Sequence, residues 1–147
     1  MAQFARPSVD TTRDNWEEDD GTTTDIFDQI DEASFDDADF IRTVLTPTSD
    51  VYVTKLTTIE DPVSSSGHTV RFRSAKSSAG GDAIDLTVQL RQGYVNEGSP
   101  GTLIATAATL TNISETFATT TYNLSGAEAD AITNYADLYL RFLANKP

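Results

Sequence analysis

Apolar and polar side chains alternate with a period of two over most of the chain. In Ala83-Ile84-Asp85-Leu86-Thr87-Val88-Gln89-Leu90-Arg91, the apolar set is Ile84, Leu86, Val88 and Leu90, and the intervening set is polar. That pattern predicts a strand with one buried and one wet face. Val70 and Phe72 against Arg71 and Arg73 predict another. Leu138, Leu140 and Phe142 facing in, with Tyr139 and Arg141 out, predict the last. Val51, Val53 and Lys55 alternate with Tyr52, Thr54 and Leu56, and 101–110 and 116–124 add runs rich in β-branched Thr. A shorter strand is expected near 38–45.

Turn formers separate these runs. Asp61-Pro62 with Ser64-Ser65-Ser66-Gly67 marks one break, 77–82 a second, and Asn96-Glu97-Gly98-Ser99-Pro100-Gly101 a third. Ser125 followed by Glu128 reads as a capping box opening one short helix near 126–133. Ile26, Phe27 and Ile30 fit a helical turn that Asp25 would cap, with a strand as the competing reading. The expected fold is all-β: an antiparallel β-sandwich, jelly-roll-like, of about 7–8 strands.

Charge divides the chain. The net charge is −13, from 10 Lys plus Arg and 23 Asp plus Glu. Residues 1–40 hold 13 acids and two bases, giving −11, whereas 41–147 hold 10 acids and eight bases, giving −2. Residues 1–23 carry few apolar anchors, and Arg6-Pro7 favours extended backbone. They read as an extended acidic N-terminal arm on a sandwich domain over 24–147. Phe4, Val9 and Trp16 would anchor the arm on a partner, Arg6 and Arg13 supply its two positive charges, and Glu17, Glu18, Asp19 and Asp20 its densest negative run.

An acidic chain is a poor match for nucleic acid or an anionic membrane, since phosphate contacts need clustered Lys and Arg. With no Cys there is no disulfide framework and no thiol nucleophile. The N-terminus lacks a basic region followed by an apolar run, so synthesis in the host cytoplasm is expected. No stretch approaches the ~18 apolar residues of a membrane span.

Catalytic readings are thin. His68 is the sole histidine, at the start of a strand, with no nucleophile motif near it. Paired acids abound, yet they crowd the leader rather than a scaffold. Asp31, Glu32, Asp36, Asp37 and Asp39 offer oxygen ligands without the spacing of a calcium loop. Neither an enzyme, a metal nor a cofactor is expected. Tyr52, Tyr94 and Tyr139, if exposed, would form a sugar-binding platform; strand tyrosines of a sandwich are the plainer reading.

Several segments together carry a resemblance: Arg6-Pro7-Ser8 before Trp16, then Asp36-Asp37-Ala38-Asp39-Phe40-Ile41, Gly67-His68-Thr69-Val70-Arg71-Phe72-Arg73, Leu86-Thr87-Val88-Gln89-Leu90-Arg91-Gln92-Gly93, and Ile132 to Phe142. The chain resembles small β-sandwich virion structural proteins of tailed bacteriophages. The resemblance implies a non-enzymatic virion component on the capsid exterior, a decoration or cement protein. Its partner would be the major capsid protein, and it would form a homo-oligomer, a trimer by preference. The alternative is a carbohydrate- or receptor-binding module of a tail fibre.

Overall fold

A computed structural model describes residues 2–79 and 81–147. The described chain forms nine strands and two short helical turns. The strands are β1 (Pro7–Arg13), β2 (Glu17–Glu18), β3 (Ile41–Arg42), β4 (Thr48–Leu56), β5 (Thr69–Ser74), β6 (Asp85–Gln92), β7 (Thr102–Leu110), β8 (Ala118–Asn123) and β9 (Leu138–Asn145). A 3-10 turn spans Ile26–Gln29, and α1 spans Gly126–Asp130. The architecture is an all-β sandwich with antiparallel sheets.

The larger layer is a five-stranded sheet in the order β1-β4-β9-β6-β7. A two-stranded ribbon, β5-β8, lies across its inner face. The pairs β4·β9, β5·β8 and β6·β7 nest in sequence like one long hairpin, and the β6·β9 pairing closes it into a roll. That is the winding of a jelly roll, with a two-stranded second layer. The core between the layers is built from alternate residues: Tyr52 and Leu56 of β4, Leu86, Val88 and Leu90 of β6, and Val70 and Phe72 of β5.

The capping box is present. The Ser125 hydroxyl accepts from the Glu128 N–H, and the Glu128 carboxylate accepts from the Ser125 N–H at 2.7 Å. The helix ends at Asp130, short of the expected 133. The strand expected near 38–45 is reduced to the two residues of β3, paired with β2.

The arm expected over 1–23 is corrected. Residues 7–13 are the outer strand of the main sheet, paired with β4, and Trp16 is only 8 % exposed within the core. Its ring packs 6.0 Å from Tyr52 and 6.5 Å from Phe142, and its indole N–H donates to the Asp50 carbonyl. Burying an indole stabilises a protein by several kcal/mol, more than an exposed arm would gain by leaving it in water. No boundary falls at residue 23.

Both outer strands of the main sheet are irregular. Along β1 the register shifts between Pro7 and Val9 and again between Asp10 and Thr12. Along β7, Ala105 and Leu103 face the adjacent residues Leu90 and Arg91, and Ala108 and Thr106 face Val88 and Gln89. Ile104 and Ala107 are therefore extra residues, and the neighbours Ile104–Ala105 and Ala107–Ala108 all turn into the core. Such bulges place two residues opposite one and break the period of two.

Candidate functional site

The acidic residues assemble on one side of the sandwich. From Glu17 to Asp39 the chain holds 11 acids and no Lys or Arg. It runs through β2, the 3-10 turn and a strap from residue 30 to 45. Asp10 of β1 holds this segment down. Its carboxylate accepts from the N–H groups of Ile26 (2.8 Å) and Phe27 (3.1 Å) and from the Tyr52 hydroxyl (2.7 Å). Asp25, expected to cap the turn, stands at its start in a left-handed conformation and makes no side-chain cap bond. The cap comes from Asp10 instead. The Tyr52 phenol is pushed above its usual range by burial, with the Asp10 carboxylate adding to it.

Further along, Glu17 pairs with Arg42 at 3.0 Å and Asp37 with Arg73 at 2.6 Å. Phe35 lies under the guanidinium groups of Arg71 and Arg73, and Phe40 packs on Phe117. Among the described residues, the other nine carboxylates of the segment form no ion pair. Desolvation, then the charges of Asp20, Asp28, Asp19 and Asp39, raise the Glu18 carboxyl. Burial raises Glu32, with Asp39, Asp31 and Asp36 adding to it. The face is self-repelling and held in place by the core beneath it.

The structure distributes the expected binding residues unevenly. Glu17, Glu18, Asp19 and Asp20 lie together on the acidic face, the last two exposed. Phe4 is 65 % exposed, with the Arg6 guanidinium over its ring. Val9 is half exposed on β1. Arg6 donates to the Glu32 carbonyl, and Arg13 donates to the Trp16 carbonyl at 2.6 Å. Trp16 is unavailable to a partner because it is buried.

Beside this face the sandwich is open. A cleft of about 1560 Å³ runs between the main sheet and the ribbon, bordered by the strap. Leu140 and Phe142 point inward from the central strand β9, yet both stay partly exposed at its floor. The exposed Phe4, Phe35, Val44 and Leu45 stand at its rim. Sequence reasoning missed this rim; the available signals are Phe35, the one large apolar residue between Asp31 and Asp39, and the Val44-Leu45 pair ahead of Pro47. Only the pairing of distant segments makes them neighbours.

No family model, curated protein or solved structure matches the chain.

The other candidates resolve geometrically. The His68 imidazole Nε2 lies 2.7 Å from the Tyr135 hydroxyl, and among the described residues no carboxylate bonds the other ring nitrogen. Among the described residues no group of three acids or histidines is spaced to hold a metal ion, and no helix is long and apolar enough to cross a membrane. The tyrosines considered as a sugar platform are buried: Tyr52 in the core, and Tyr94 and Tyr139 on the opposite face of the sheet. The connection between β6 and β7 folds back over that face. The Glu97 carboxylate accepts from the Tyr94 hydroxyl at 2.9 Å and pairs with Arg141 at 2.6 Å.

These carboxylates give stability a signed pH dependence. Glu18 and Glu32 are raised when folded, so they oppose folding at neutral pH and the penalty lifts as pH falls. Asp37 and Glu97 are lowered, chiefly by hydrogen bonds from Arg73 and Arg141, and Glu128 by those from Ser125 and Tyr122. Their contribution is present above the usual carboxylate range and is lost below it. In low salt, Tm should rise as pH is lowered from 7 to about 5, then fall below about 4. Salt added at pH 7 should reproduce part of the rise by screening. A Tm that only declines from pH 7 downward would contradict the picture.

Proposed function

We propose that the protein is a non-enzymatic virion structural protein of a tailed bacteriophage, a capsid decoration protein that binds the major capsid shell and stabilises it. The acidic face carries the reading. Eleven carboxylates follow one another in sequence without a cation between them, two of them pair with Arg42 and Arg73 in the fold, and Asp10 fastens the segment that carries them to the sandwich. Their mutual repulsion is relieved when the face meets Lys and Arg of another protein. Such complementarity speeds encounter and sets register more than it adds raw affinity. Phe4, at the rim of the neighbouring cleft, supplies an exposed apolar contact, whereas Val9 pairs with Lys55 of β4. Three copies around a local three-fold position would present three such faces to the shell.

The alternative, a carbohydrate- or receptor-binding module, gains nothing from Tyr52, Tyr94 and Tyr139, which are buried.

Purified virions from the source genome supply the test. Mass spectrometry should find the chain in fixed stoichiometry with the major capsid protein, and cryo-electron microscopy should place it on the shell exterior. Density on the tail, or absence from the particle, overturns the assignment.

A further inference from the structure

We propose that the inter-sheet cleft is a docking groove for an extended segment of a partner protein, one that alternates apolar with cationic residues and adds to the free edge of β5.

The first observation is the unfilled interior. Protein cores pack as densely as organic crystals, with few voids larger than a water molecule. Here Leu140 and Phe142 of the central strand pack on the core on one side, Phe142 against Trp16, Tyr52 and Phe72, and on the other border a cleft of about 1560 Å³. That is larger than the ~300–1,000 Å³ of small-molecule pockets. The second layer has two strands over a sheet of five.

The second observation is the strand at its wall. All six residues of β5, inward- and outward-facing alike, border the cleft, as a strand seen edge-on must. β5 pairs with β8 alone. The Leu124 N–H donates to the His68 carbonyl, and the register continues without a shift. In an antiparallel ladder bonded pairs alternate, so Val70, Phe72 and Ser74 bond to β8 while Thr69, Arg71 and Arg73 turn their N–H and C=O outward. Among the described residues no hydrogen bond from outside the ribbon reaches those groups. An extended peptide laid there gains main-chain bonds and sends alternate side chains inward over Leu140 and Phe142.

The third observation is charge. Glu32 Oε1 borders the cleft, buried and without a hydrogen-bond partner. Asp36, Asp39 and Glu60 also border the cleft. Of its cations, Arg42 and Arg73 are paired with carboxylates, Arg6 donates to the Glu32 carbonyl, Lys76 donates to the Asp82 carbonyl and the Asn112 side chain, and Arg71 lies over Phe35, so none of them reaches the Glu32 carboxylate. A Lys or Arg of the incoming segment satisfies Glu32. Phe4, Val44 and Leu45 at the rim cover its apolar residues. That the segment belongs to a shell protein rests on the function proposed above; the mode of docking does not.

The test uses the full chain and a fluorescein-labelled, capped peptide of alternating valine and lysine, as long as the nine-residue strands β4 and β7. Fluorescence anisotropy at low ionic strength should show saturable one-to-one binding. The matching valine–glutamate peptide should bind at least ~tenfold more weakly. Glu32→Gln should cost the lysine peptide about tenfold. Arg71→Pro removes one outward N–H and leaves the β8 ladder intact, so it should weaken binding by a similar factor. Hydrogen exchange on the unmutated chain decides the mode independently of any variant: saturating peptide should slow the amides of Thr69, Arg71 and Arg73. Equal binding of both peptides, no binding, or unchanged exchange at β5 overturns the proposal. So does saturable uptake of palmitate with no peptide binding, which would make the occupant a lipid. Peptide binding by a chain absent from virions would leave the groove standing and remove the shell assignment; the reverse outcome would do the opposite.

Discussion

A chain lacking residues 1–23 should fail to fold. The truncation takes away β1, Trp16 and Asp10 together. Loss of a buried Trp alone costs about 3–5 kcal/mol. Without Asp10, the Ile26 and Phe27 N–H groups and the buried Tyr52 hydroxyl lose their acceptor, at ~1–3 kcal/mol for each group left unsatisfied. The edge of β4 is bared as well. Set against the ~5–15 kcal/mol that holds a typical domain, those losses consume the margin. The truncated chain should show a collapsed amide spectrum and no cooperative melt. A well-dispersed spectrum with a sharp transition would mean that β1 and Trp16 are dispensable. A shell-binding assay on that truncation would then report unfolding rather than a missing contact, so the acidic face is better tested by charge reversal at Asp19 and Asp20.

Asp10→Ala should be the most damaging single substitution on the edge strand β1, at about 3–5 kcal/mol. The carboxylate joins three elements: it sits on β1, caps the 3-10 turn of the acidic segment, and accepts from Tyr52 of β4. Asp10→Asn keeps one acceptor oxygen and should cost clearly less. Urea titration followed by Trp16 fluorescence measures both, because the sole indole packs directly on Tyr52. A midpoint shift equivalent to less than ~1 kcal/mol for the alanine variant would show that water replaces the carboxylate without penalty.

The strands whose periodicity was legible were those with one face on the core and regular register. β6 and β9 alternate cleanly because each is flanked by strands on both sides and pairs with the other residue for residue. The Ser125–Glu128 box was legible because capping is local chemistry. β1 was not, because two bulges scramble its alternation and its inward group is a carboxylate rather than an aliphatic side chain. Trp16 looked like an anchor for a partner because nothing within ten residues of it shows that Tyr52 and Phe142 await it. The tyrosines of the outer face looked exposed for a related reason. The backfolded connection carrying Tyr94 and Glu97 covers them together with Thr12 and Lys55, and that packing is long-range. The acidic run was visible as composition, but its attachment to the fold was not, since that depends on one aspartate 16 residues upstream of the turn it caps.

The bulges on β1 and β7 have a consequence for crowding. Straight, unpaired sheet edges template fibre growth, and molecules packed at high local density meet that hazard continually. Both margins of the five-stranded sheet are kinked twice, and β1 opens on a proline. Copies concentrated on a common surface can therefore sit side by side without their main sheets zipping into cross-β. Deleting both extra residues, Ile104 and Ala107, would straighten β7 and remove that safeguard from one margin, and such a chain should be recovered from concentrated solution as thioflavin-positive aggregate.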